Sequence, residues 1–128
     1  MVSRDTKVHL GTVGITFLVL LGVQSAGLLP ESRSAISVVA LVSYGAIFGG
    51  AHLYLAIRDD DGMVPAAARW RYVATLAVVL SAGVAYIVAG GVAVGPVTVG
   101  TIALGVAGVA AAVYLVAESI DAYRASSI

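Results

Sequence analysis

Apolar residues along this chain do not alternate with polar ones; they run. Four stretches contain no charged side chain: Val8–Leu29, Ala35–Ile57, Tyr72–Gly91 and Val97–Ala117. A helix rises about 1.5 Å per residue, so about 20 residues cross a hydrocarbon core roughly 30 Å thick, and every stretch meets that length. The pattern predicts spanning helices over about 8–29, 35–57, 70–91 and 97–118, in a single all-α membrane domain over residues 1–128. Pro30 cannot continue the first helix, and Ser32 or Ser34 can cap the second. Asp59 to Gly62 ends the second helix, and Pro65 fits the first turn of an interfacial start to the third. The third connection, Gly90 to Pro96, carries no charge, which predicts a tight hairpin whose tip barely leaves the membrane. Connections this short imply an up-and-down antiparallel four-helix bundle.

Charge gives the bundle a direction. With four spans, Arg4, Lys7, Arg58, Arg69, Arg71 and Arg124 fall on one side and Arg33 alone on the other. Lys and Arg near helix ends are retained in the cytoplasm, so both termini are expected there. Tyr54, Trp70, Tyr72, Tyr114 and Tyr123 fall near the same ends, where amphipathic rings sit at headgroup level. The start of the chain imitates a secretory signal, but its apolar run exceeds the usual length of about 7–15 residues and Gln24 is ill placed for cleavage after Ala26; an uncleaved first span is expected.

Composition narrows the chemistry. The chain is 60% hydrophobic and 11% charged with mean hydropathy +1.03, outside the range of ordinary soluble domains. Seven basic residues balance seven acidic ones, which leaves no surplus for firm binding of nucleic acid. The lack of cysteine removes disulfides and thiolate metal sites. No acid within 8–29, no asparagine and no cysteine together set aside the small multidrug transporters, fluoride channels and thiol-linked reductases with four spans. The absence of asparagine, six Arg against one Lys and the Asp59, Asp60, Asp61 run lean toward a halophilic source.

Helices in lipid associate through small residues and a few hydrogen bonds. Gly45, Gly49, His52 and Ala56 share one face of the second helix; Thr101, Gly105, Gly108 and Ala112 share one of the fourth. The helix-packing candidates Gly45, Gly49, Gly105 and Gly108 serve either contacts inside the chain or self-association. His52 is the most suggestive polar residue, because ionisable groups within a membrane are costly and functional candidates by default. Tyr114 and Glu118 approach its level, so a buried polar cluster of His52, Tyr114 and Glu118 is expected. It acts either as a structural clamp or as a proton relay or ligand site.

A haem held by His9 and His52 is the sharper alternative, although His52 sits about one turn deeper than His9 in this register. The segment from His52 through Asp59 to Trp70 loosely resembles the histidine-then-aspartate region of succinate dehydrogenase membrane anchors, with three spans against four here. The Asp59 run departs from the calcium-loop pattern where Ile57 stands, so a solvated acidic loop is expected. Arg69, Trp70 and Arg71 read as an interfacial anchor that can grip anionic headgroups. No nucleophile, base and oxyanion donor converge, so neither enzymatic activity nor a resident cofactor or metal is expected.

By size, four spans and halophilic composition, the chain resembles the small integral membrane protein of haloarchaeal pleomorphic viruses, the pleolipoviruses. The local likeness lies between His52 and Tyr72: Asp60, Asp61, Gly62, Met63, Val64 and Pro65, then Arg69, Trp70, Arg71 and Tyr72. The resemblance implies a non-enzymatic structural component of the virion membrane that accompanies a separate spike protein and faces the virion interior with its cytoplasmic side. The competing class is a membrane-anchor or small transporter subunit of a cellular complex.

Overall fold

The computed structural model describes residues 1–59 and 61–127; Asp60 of the acidic run lies outside them. Its helices are α1 (Arg4–Ser25), α2 (Arg33–Ile57), α3 (Ala66–Ala89) and α4 (Val99–Ser126), with a minimal hairpin of β1 (Ala93–Val94) and β2 (Val97–Thr98) before α4. The four helices are each long and apolar enough to cross a membrane.

Capping chemistry, more than hydropathy, sets their ends. Ser3 Oγ accepts from Thr6 N–H, so α1 begins at Arg4 rather than at residue 8 and takes in Asp5 and Lys7. It stops at Ser25 instead of running to residue 29, because Gly27 adopts φ +67° and closes a Schellman motif: Leu28 N–H donates to Val23 O and Gly27 N–H to Gln24 O. Ser32, one of the two expected caps, accepts from Ala35 N–H at 3.1 Å. The second helix ends as expected at Ile57, followed by Asp59 in the left-handed region at φ 50°. At the start of α3, Asp61 Oδ1 accepts from Ala66 N–H at 2.8 Å, and the helix opens directly after Pro65, four residues before the apolar pattern places it. Thr98 caps α4, which remains helical through Glu118, Asp121 and Arg124, well past residue 118.

The chain forms two compact units, Met1–Val73 and Ala74–Ile128. In the first, α1 and α2 pack around the buried Ala51, Leu55 and Ala56. The helices approach closely at Gly50, where a Cβ would stand 2.6 Å from the Thr12 methyl. In the second, Ala82 and Ala103 are buried, and Gly100 N–H donates to Gly90 O at 2.9 Å. The strands pair antiparallel with Val94 opposite Val97, and Gly95 at φ +59° starts the two-residue Gly95–Pro96 turn. A positive φ at the first turn position matches the twist of the flanking strands.

Large apolar side chains remain exposed around both units: Phe17, Leu18 and Leu21 on α1, and Leu104, Val109 and Val113 on α4. Helices that are apolar all round suit a lipid solvent. Their hydroxyls suit it as well. Thr12, Thr16, Ser37, Ser43, Ser81 and Ser119 each donate to the carbonyl four residues earlier in their own helix.

Candidate functional site

The polar residues of the N-terminal unit gather where the start of α1, the end of α2 and the start of α3 meet. Asp5 and His9 are one helical turn apart on α1, and Arg69 and Tyr72 share a face of α3. His52 lies on the buried α2 stripe between Gly49 and Ala56. Arg69 is fully buried, and its guanidinium divides among three partners. Nη2–H donates to Asp5 Oδ2 at 2.7 Å, Nε–H to Val64 O at 3.1 Å, and Nη1–H to His52 Nδ1 at 3.4 Å. Asp5 Oδ2 also accepts from the Met63 amide at 3.2 Å. The loop comes so close that a Cβ on Gly62 would lie 2.6 Å from Asp5 Oδ1.

The histidines complete a ring of contacts. His52 Nε2 and His9 Nε2 are 3.4 Å apart, and His9 Nδ1 reaches the Asp5 carbonyl at 2.7 Å. Only one set of tautomers satisfies all of them. Arginine always carries its protons, so His52 Nδ1 accepts and the His52 proton sits on Nε2. That proton is donated to His9 Nε2, which leaves the His9 proton on Nδ1 to be donated to Asp5 O. The Tyr72 ring lies 4.7 Å from that of His52, and its hydroxyl donates to Phe48 O at 3.0 Å. Among the described residues, no buried side-chain nitrogen or oxygen lacks a partner.

This network changes several sequence expectations. Arg69 is not a headgroup anchor; it holds Asp5, a residue that hydropathy leaves outside the first span. His9 and His52 stand at one level where α1 packs on α2, with their Nε2 atoms 3.4 Å apart. Their rings meet edge to face at 82°. Two axial nitrogens of an iron need about 4 Å between them, at roughly 2 Å per bond, with a macrocycle in the gap. The residues present therefore do not fit a haem between these histidines, and Arg69 on His52 Nδ1 works against any added cation. Among the described residues, no group of three His, Cys, Asp or Glu side chains is placed to hold a metal ion.

Gly49 is buried and Gly45 half-buried on α2. Tyr114 and Glu118 lie half-buried on α4 in the C-terminal unit, where a Cβ added at Gly105 or Gly108 meets nothing within 4 Å. Trp70 is exposed, and the Arg58 guanidinium lies 5.8 Å over the Tyr54 ring. Asp5 and Gly50 are the residues that sequence reasoning missed. An acid four residues before a histidine, ahead of an apolar run, is the one signal that could have found the first. The chain matches no family model, no curated protein and no solved structure.

Proposed function

We propose that this chain is a non-enzymatic structural protein of a membrane, with its helices antiparallel and both termini on the cytoplasmic side. Following the resemblance carried by His52 to Tyr72, we assign it to the virion envelope of a haloarchaeal pleomorphic virus, where the cytoplasmic side becomes the virion interior. One observation carries the structural reading: the groups best suited to chemistry, Asp5, His9, His52 and Arg69, spend their hydrogen bonds on one another. A site that closes on itself is a clamp. In this reading the partners are the bilayer, further copies of the chain and a separate spike protein, while equal numbers of basic and acidic residues disfavour a genome-binding role.

Purified virions test the proposal. The chain is expected as an abundant, colourless membrane component, protected from protease until the envelope is dissolved. Recovery only from host membranes, alongside respiratory subunits, would sink it. Sidedness has a separate readout, since the chain lacks cysteine and Met63 is exposed. A Met63→Cys variant should resist an impermeant thiol reagent applied to intact cells, and labelling from outside reverses the orientation.

A further inference from the structure

The ring of contacts among Arg69, His52, His9 and Asp5 has no place for another proton. In the tautomers that satisfy these contacts each imidazole is neutral, and each ring nitrogen either donates or accepts. A proton added to His52 Nδ1 faces the Arg69 Nη1–H across 3.4 Å. A proton added to His9 Nε2 faces the His52 Nε2–H, also across 3.4 Å. Moving the His52 proton to Nδ1 relieves the second conflict and creates the first. Every arrangement of three imidazole protons sets donor against donor at least once.

The surroundings offer the extra charge little help. From α1, Asp5 faces the ring, but its Oδ2 is already engaged by Arg69 and the Met63 amide. From α3 come Arg69, itself a cation, and Tyr72, whose hydroxyl is committed to Phe48 O. Among the described residues of the preceding loop, the Val64 carbonyl accepts from Arg69 and the Met63 amide donates to Asp5, while Asp61 accepts from the Ala66 amide.

We propose that this cluster is a proton-sensitive latch: with neutral histidines it fastens the start of α1 and the 61–65 loop to α2 and α3, and one proton taken up by the histidine pair releases them. The sign follows from linkage. The open state binds more protons than the closed one, so falling pH favours opening. The latch does not depend on the virion assignment, because its parts all lie within the N-terminal unit of this chain.

The test uses the full chain in lipid nanodiscs with ¹⁵N-labelled histidine. At about pH 7.5, His9 should be protonated on Nδ1 alone and His52 on Nε2 alone. At about pH 5, below the range where a free imidazole titrates but above that of a free carboxylate, the pair should gain a proton. Over the same pH interval the Met63 amide, corrected for its intrinsic exchange rate, should lose protection against hydrogen exchange by at least about tenfold, the scale of a lost hydrogen bond to a charged group. In a His9→Gln/His52→Gln double variant each position keeps one donor and one acceptor and cannot titrate, so Met63 protection should be equal at both pH values. The opposite tautomers at pH 7.5, protonation that leaves Met63 protected, or an equal loss in the double variant would each overturn the latch. Should the double variant fail to close at pH 7.5, the wild type decides alone: loss of Met63 protection must coincide with the imidazole titration, and separated midpoints refute the proposal.

Discussion

The two units close their helices by opposite means. The N-terminal unit ties three elements with a buried ion pair and two histidines, whereas the C-terminal unit turns from α3 into α4 with no charged residue in its connection. There, Gly100 N–H to Gly90 O, Val99 N–H to Val92 O and a two-residue ladder supply the closure. Backbone polar groups in an apolar medium need partners from within the chain. A loop without charged side chains therefore settles into strands, whereas one with Asp61 and a reach to Asp5 can remain irregular.

The comparison breaks most sharply at Arg69. Arg69→Met leaves the Asp5 carboxylate buried without its cation and should cost about 3 kcal/mol, the lower end for severing a buried pair, because Asp5 sits in the outermost turn of α1. Unfolding of the N-terminal unit in mixed micelles measures it. Adding Asp5→Asn to Arg69→Met should recover much of the loss, and a double mutant no more stable than Arg69→Met alone would show that the pair is not the clamp.

An intermediate effect is expected in the uncharged turn. Gly100→Ala places a methyl 2.8 Å from the Gly90 carbonyl oxygen, and backbone gives way less readily than a side chain. A cost of about 1–3 kcal/mol, with faster hydrogen exchange at Val99 and Gly100, is the expected outcome. The smallest effect has the opposite sign. Gly108→Ala adds a methyl into open space in mid-helix, so α4 should gain about 0.5–1 kcal/mol in thermal unfolding. A loss instead would mean that a second surface covers this face.

Hydropathy made the four helices legible because lipid leaves little else for apolar runs of that length to do. It places the end of α2 at Ile57 but misplaces both ends of α1 and the start of α3, since Ser3, Gly27 and Asp61 act through hydrogen bonds or backbone conformation to which an apolar scale is blind. The short strands beside Gly95–Pro96 were signalled only by β-branched neighbours around a two-residue turn. At the site, His52 is legible as an ionisable residue in an apolar run, and His9 as a second histidine on the same side. Asp5 gives no such signal and Arg69 reads only as an interfacial anchor, because charges at the ends of apolar runs look like ordinary flanking charges until a fold brings two of them together. Their separation of 64 residues carries no local periodicity.

That separation also orders the making of the protein. Serine and threonine hydroxyls that bond within their own helices let each span enter a bilayer without waiting for a neighbour. Asp5 has no such independence: its cation lies on the third helix to be synthesised. The N-terminal helix can therefore be inserted early and still be unfinished, its first turn holding an uncompensated carboxylate at the water boundary until Arg69 emerges. Biosynthesis makes the helices in sequence, and the knot that joins the first to the third is drawn last.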